Sequence, residues 1–304
     1  MTGSSPDLSG SGPAGPNTFV TVGRGPKLLA VQRRGAVTVS TVSTVVVLAA
    51  LVAGFLLAPG SAVVRHTFFS PHDMWASFVG NPAKGYYSVG EALWLNIRMF
   101  LVAEVFILFF ALVLALIRQS TSPVLFPFRV LALVYVDFFR GVPVLLVVLA
   151  IGFGVPALRL PFVSAQSTAV YGTVALIITY SAYVSEVYRA GLNSVHRSQT
   201  AAARSLGLSQ FATLRFVVLP QAVRNILPPL LNDFISLQKD TALVGVLGAI
   251  EANEAAQIYS STVFNYSSYT VAALLFLLLT IPLARFTDRL IDRDRQRRLA
   301  GAAT

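Results

Sequence analysis

A handful of ionisable residues stand inside stretches that are otherwise almost wholly apolar. Arg140 lies beside Gly141 and Pro143, between the apolar runs Val130–Val136 and Gly141–Leu158. Glu104 is the single charge in Met99–Ile117, while Asp233 and then Gln238, Lys239 and Asp240 interrupt Asn225–Ile250. A charge in such surroundings is costly, so it either pairs internally or serves a ligand. The guanidinium of Arg140 suits a carboxylate bidentately, and the carboxylate of Glu104 suits an ammonium. Each has a structural alternative: Arg140 pairing with Asp137 or Glu186, and Glu104 facing a helix interface. Neighbours on a helix point about 100° apart, so Lys239 and Asp240 do not simply neutralise each other. Glu186 and Arg189, three apart, read as an ion pair, and Tyr180 and Tyr183 as packing residues.

Composition says what must hold these groups. Of the 304 residues 55% are hydrophobic and only 12% charged, with mean hydropathy +0.70. Soluble domains carry about 25% charged residues, which all but excludes a water-soluble enzyme. The net charge of +10 is gathered between long uncharged stretches rather than spread over a folded surface, which argues against nucleic acid as a partner. There is no cysteine, and His66, His72 and His196 are too scattered for a metal cage. No G-x-x-x-x-G-K-[ST] occurs, so the chain has no loop of that kind to cradle ATP phosphates.

A bilayer core takes roughly 20 apolar residues of helix. Six stretches meet that need: Ala36–Ala58, Met99–Ile117, Gly141–Leu158 with the run before it, Leu160–Ser185, Asn225–Ile250 and Ala255–Ala284. The expected fold is therefore an all-α polytopic membrane protein of about six transmembrane helices. Residues 1–35, rich in Gly, Ser and Pro, read as a disordered tail. The first apolar run outlasts the 7–15 residues of a signal-peptide core and reads as an anchor. Arginines crowd alternate connections: Arg118 and Arg129, then Arg189, Arg197, Arg204, Arg215 and Arg224, then the tail from Arg285 onward. The other connections hold little beyond Arg65, Lys84 and Arg159. The positive-inside rule puts both termini in the cytoplasm. No internal repeat supports an inverted-repeat transporter.

The connection after the fourth span reads SQTAAARSLGLSQFATLRFVVLPQ over Ser198–Gln221. Ala201, Ala202, Ala203 and Leu206 suit a short helix with a small-residue face, which Gly207 ends with a left-handed residue. Ser209 can cap a second short helix, with Phe211, Leu214 and Val218 on one side and Pro220 as its stop. Two short helices across the membrane face are expected, joined by a tight turn.

The spacing of Ala201-Ala202-Ala203, Gly207, Val217, Leu219 and Pro220 resembles the EAA motif of ATP-binding-cassette importer permeases, with Ala201 in place of the motif's Glu and Ser198 in place of a Gly. Further segments agree in order. Phe139-Arg140-Gly141-Val142-Pro143 is similar to FRGTP, and Ala182–Gly191 to AYxxE-x-x-RAG. Leu219–Arg224 is similar to LPQA-x-R. Leu227-Pro228-Pro229, Asn232 and Lys239-Asp240-Thr241 resemble the LPP, N and KDTSL elements. Over residues 88–290 the chain is identified as a member of the polar amino-acid branch of that family.

The resemblance implies a five-helix permease core at 88–290, an added N-terminal helix at 36–58, and a basic cytoplasmic tail at 291–304. It implies cytoplasmic coupling helices that dock on a separate ATPase pair, which alone binds ATP and Mg²⁺, so that this chain carries no cofactor. Ala201, Ala202, Ala203, Arg204, Gly207, Leu208 and Arg215 would form the docking element. It further implies a second permease, identical or different, an extracytoplasmic substrate-binding protein, and a polar amino acid as solute. Arg140, Glu104, Gln238, Lys239 and Asp240 are the candidate solute residues, the last two also suited to shaping a gate or joining the two permeases. Two other classes remain open at this point. An ion-coupled secondary transporter would use Glu104 and Asp240 as ion ligands. An intramembrane enzyme would need a nucleophile and base, or a metal cluster, and none is visible.

Overall fold

The computed structural model describes the backbone of residues 26–301, and the side chains of residues 37–292 and Gln296. The chain divides into two compact units, Met1–Ala62 and Val63–Thr304. In the first, α1 (Pro26–Leu57) is helical from Pro26, so the expected disordered tail is wrong for residues 26–35; residues 1–25 lie outside the described ones. Its span Val37–Leu57 is long and apolar enough to cross a bilayer, with every side chain exposed.

After α2 (Ser61–Phe68), the larger unit continues with α3 (Pro71–Val79), α4 (Val89–Gln119), α5 (Phe126–Gly141), α6 (Val144–Ala157) and α7 (Thr168–Asn193). Then come α8 (Arg197–Ser205), α9 (Gln210–Thr213), α10 (Leu219–Asp240), α11 (Ala252–Val263) and α12 (Ser267–Gly301). Helix α7 is the hub, packed against α4, α5, α6 and α10. Along α4 the buried stripe Met99, Ala103, Ile107 and Ala111 meets Leu176, Tyr180 and Val184. The alanines let two membrane helices approach closely, where burial of apolar surface gives no advantage over lipid.

Among the described residues four helices are long and apolar enough to cross a membrane, or five if the bent pair α5–α6 is one span. Six were expected, and each difference has a local cause. The third span breaks at Gly141-Val142-Pro143, and the segments beginning at Pro123 and Val144 meet at 108°. Pro143 has no N–H to continue the helix, and it holds Val142 extended (φ −98°, ψ 132°). The fourth begins later, at Thr168, after an irregular stretch with Arg159 and Phe162 at positive φ. The fifth is shorter and more polar: α10 ends at Asp240 and a 3₁₀ segment, Thr241–Leu247, follows. The last expected span is two helices. Phe264 turns left-handed (φ 57°) and Asn265 accepts from Ser267 N while donating to His66 O, so α12 starts afresh at Ser267.

The 3₁₀ segment is wedged against α6 and α7 at two glycines. A Cβ at Gly172 would run into Val244, and one at Gly152 into Leu247. We expect Gly172→Ala to destabilise by about 1–3 kcal/mol through overpacking. Gly154→Ala, with nothing within 4 Å, should be neutral or slightly stabilising in the same helix environment. Thermal melting of the purified chain compares the two directly.

Candidate functional site

The bend after α5 brings Arg140 to a cavity of about 520 Å³, lined by Arg140, Tyr183, Glu186, Ser194, Asn225 and Asp233 among others. Its walls are α5, α7 and α10. Helices α7 and α10 meet closely because residue 191 is glycine: a Cβ there would collide with Ile226. Asn225 Nδ2 donates to Ser194 Oγ (2.8 Å), closing the same end.

Arg140 is exposed and forms no hydrogen bond or ion pair among the described residues. The expected structural pairings are therefore absent. Glu186 binds both Arg189 and Arg118, the latter at 2.8 Å, so the anticipated Glu186–Arg189 pair is a three-residue cluster that leaves nothing for Arg140. Asp233, half-buried, has its Oδ2 sealed from solvent with no donor. Glu104 on α4 is half-buried and belongs to no ion pair among the described residues. Asp240 accepts from Tyr180 OH (2.8 Å), and the Tyr180 and Tyr183 rings meet edge to face at 5.5 Å. Tyr180 is thus more than a packing residue: it satisfies a carboxylate inside the membrane.

Of the five candidate solute residues, then, Arg140 lines the cavity and Asp240 joins through the tyrosines, while Glu104 is not among the lining residues. Gln238 and Lys239 do not join them. Gln238 is buried and accepts from Thr280 Oγ1 (2.7 Å) on α12, beside a separate cavity of about 420 Å³. Lys239 is exposed. Asp233 is the residue sequence reasoning passed over, although as a charge in an apolar stretch it met the same criterion as Glu104.

The α8 region keeps part of its expected form. Leu208 N donates to Ala203 O (3.3 Å) and Gly207 N to Arg204 O (3.0 Å), the paired bonds of a Schellman ending, with Gly207 at φ +84°. Ser209 caps the next helix through Ala212 N (3.2 Å). Three expectations fail. Pro220 does not stop the second helix, because α9 passes through a π-helical turn, Leu214–Val218, into α10. Leu219 N reaches back to Leu214 O, and this wider turn relieves the clash that a helical proline makes with the carbonyl four residues back. Ala201 does not begin α8, which starts at Arg197 with His196 Nδ1 accepting from Ser198 N (3.2 Å). Ala203 is buried, so the face left open consists of Ala201, Ala202 and Leu206, with Phe211, Leu214 and Phe216 beyond the turn. Arg215 lies over the Phe216 ring at 5.7 Å. Gln221 Nε2 ties α8 to α10 through Gln199 Oε1 (2.5 Å).

Comparison with known proteins agrees with this arrangement. Residues 125–297 match the model of the family described as binding-protein-dependent transport system inner membrane component. YxeN of Bacillus subtilis, a probable amino-acid permease protein, is 36% identical over 192 residues, 63% of this chain and 84% of the relative. ArtQ of the same organism, an arginine transport system permease protein, is 32% identical over 203 residues, 67% and 90% of the two chains. The crystal structure of an amino acid ABC transporter with histidines superposes with TM-score 0.62 at 30% identity, over 67% of this chain and 93% of that one. The MetNI methionine ABC transporter, at 16% identity and TM-score 0.56, shares the fold. None of these is an ion-coupled secondary transporter, so that alternative falls. The match covers more than half of the chain, which therefore belongs to this family, the multi-pass inner-membrane permeases of binding-protein-dependent ATP-binding-cassette importers.

Proposed function

We propose that this permease carries a polar amino acid, of the glutamate, glutamine, arginine or histidine class, into the cytoplasm. One observation carries the reading: an unpaired guanidinium and an unpaired carboxylate, Arg140 and Asp233, line the same cavity beside a broken helix. They complement the carboxylate and ammonium of a free amino acid, and relatives with amino-acid and arginine permease names support the class. Arg140 holds the carboxylate, Asp233 the ammonium, and access alternates as the helices around the bend move.

Energy comes from a separate pair of ATPase subunits that bind ATP and Mg²⁺. They dock on α8 and its turn through Ala201, Ala202, Leu206 and Phe211, flanked by Arg204 and Arg215. Moving such a gate from about 1:99 to 99:1 takes roughly 5.5 kcal/mol of differential binding, within reach of nucleotide-driven closure. A second permease completes the pathway, and an extracytoplasmic binding protein delivers the solute.

The α8 end is the cytoplasmic one. It gathers Arg118, Arg189, Arg197, Arg204, Arg215 and Arg224, while Lys84 and Arg159 lie in connections of the opposite end. A reporter fused after Thr304 should therefore be active only in its cytoplasmic form; activity outside the membrane reverses the orientation.

Reconstituted in liposomes with its ATPase and binding protein, the chain should accumulate amino acid only when ATP is supplied. Arg140→Ala should lower uptake by at least about tenfold, because a charge-assisted hydrogen bond to the solute contributes about 1.5–3 kcal/mol, while the complex still assembles. Arg140→Lys keeps the charge but loses the planar fork and should fall between. Uptake without ATP, or undiminished uptake by Arg140→Ala, contradicts the proposal.

A further inference from the structure

We propose that a groove between α4 and α7 holds one anionic phospholipid, its phosphate at Arg98 and an acyl chain along the two helices. The groove has a volume of about 840 Å³ and shares no lining residue with the cavity at Arg140. Two stripes make its walls. On α4 they are Val102, Phe106, Phe110 and Val113, at the spacing of one helix face. On α7 Val170, Val174 and Ile177 run beside them. Tyr135 of α5 also lines the groove, but its hydroxyl is taken by Ile178 O (2.5 Å). Among the described residues lining it, Arg98 alone is charged. Arg98 is exposed and forms no hydrogen bond or ion pair among the described residues.

Its depth fits a headgroup. Arg118 on α4 and Glu186 on α7 are bridged at 2.8 Å. Counting back about 20 residues along each helix, about 30 Å at 1.5 Å per residue, reaches Arg98 and Ser167, which both line the groove. A bilayer core is about 30 Å thick, so with the bridge at one headgroup layer Arg98 stands at the other. Trp94, exposed one turn further out on the same face, suits that level as well. On the orientation proposed above this is the outer leaflet. Phosphate is the group that layer offers to a free guanidinium. No carboxylate lines the groove to offset the charge, which favours an anionic headgroup over a zwitterionic one. The walls select a flexible chain rather than a helix. Where α4 meets α7 it presents Ala103 and Ala111, the small residues by which membrane helices approach each other. Toward the groove it presents valines and the stacked Phe106 and Phe110 rings, 6.3 Å apart, which hold a helix off and leave room for an acyl chain.

The test recovers the full-length chain from nanodiscs of equal phosphatidylglycerol and phosphatidylcholine, strips it in mild detergent and weighs it by native mass spectrometry. One lipid per chain should remain, phosphatidylglycerol over phosphatidylcholine by about tenfold, a difference of about 1.4 kcal/mol. Arg98→Gln should lose that preference. Val174→Trp, which narrows the groove and leaves Arg98 in place, should retain neither lipid. A parental melting temperature in each variant excludes misfolding as the cause. Excess inorganic phosphate should not displace the lipid, because it brings no acyl chain. A photocrosslinking side chain at position 170 should capture lipid. Equal retention of the two lipids by the parent chain, a preference that survives Arg98→Gln, lipid still held by Val174→Trp, or capture of a protein helix at position 170 overturns the proposal. None of these outcomes touches the amino-acid reading of the Arg140 cavity, which uptake judges separately.

Discussion

A Gly207→Val permease should fold, reach the membrane and fail to couple. At position 207 the backbone stands at φ +84°, and nothing lies within 4 Å of where a Cβ would be. The penalty is therefore conformational rather than steric. A β-branched residue in the left-handed region costs on the order of 1–2 kcal/mol, and the cheapest escape is to give up the turn. Doing so breaks the bonds from Leu208 N to Ala203 O and from Gly207 N to Arg204 O, so α8 changes direction relative to the α9–α10 rod. The exposed face of Ala201, Ala202 and Leu206 then no longer meets the ATPase together with Phe211. Valine should release the ATPase on purification or abolish solute-stimulated ATP turnover in liposomes. Asparagine, which visits the left-handed region at little cost, should retain most of both. Ala201→Glu should also be tolerated, since Ala201 is exposed and only its carbonyl is used, accepting from Ser205 Oγ (3.1 Å). If Gly207→Val behaves as the parent chain in both measurements, α8 is not the coupling element.

Much of this loop could be read from sequence because helix endings are local affairs. Gly207 and Ser209 act on residues within five positions of themselves, and both do what their types predict. Pro220 misled because a proline rules out ordinary helix but not the π-helical turn that precedes it. At Gly141-Val142-Pro143 the break was legible, but its angle was not, since the direction α6 takes is decided by packing of Val147 and Val148 against Tyr171 and Leu247. The fifth span was drawn too long for a related reason: Thr241–Leu247 is apolar enough to continue a helix, and it leaves the α form where Val244 and Leu247 press on Gly172 and Gly152. Arg140 was singled out by its chemistry, and it lines a cavity. Its cavity partner Asp233 met the same rule, yet was read only as an interruption. What sequence could not offer at all is the partner of Glu251, because Asn96 stands 155 residues away.

Glu251 should prove the most sensitive residue for stability in the chain. It is fully buried and caps α11, with Oε1 accepting from Glu254 N (2.8 Å) and Oε2 from Asn253 N (2.9 Å). Asn96 Nδ2 also donates to Oε2 (2.9 Å), while Asn96 Oδ1 takes Ala252 N (3.0 Å). The same Asn96 amide reaches Thr241 Oγ1 (3.1 Å), whose hydroxyl donates to Gln238 O (2.8 Å). One carboxylate therefore fixes α4, the start of α11 and the end of α10, where Asp240 meets Tyr180. Glu251→Ala removes a cap of about 1 kcal/mol and strands buried donors at about 1–3 kcal/mol each. A total of about 3–5 kcal/mol should lower the melting temperature by on the order of 10 °C, and uptake should fall with it as Asp240 loses its register. Glu251→Gln keeps the volume but turns an N–H₂ toward donors, so it should recover only part of the loss. Gly245 supplies an independent check, because a Cβ there would sit 2.5 Å from Glu251 Oε1. Gly245→Ala alone should destabilise by displacing that carboxylate. Combined with Glu251→Ala it should cost little more than Glu251→Ala by itself, since the group it would displace is gone and its methyl enters the space left behind. Additive losses in the double variant, or a parental melting temperature for Glu251→Ala, would show that the three helices are held together by something other than this cap.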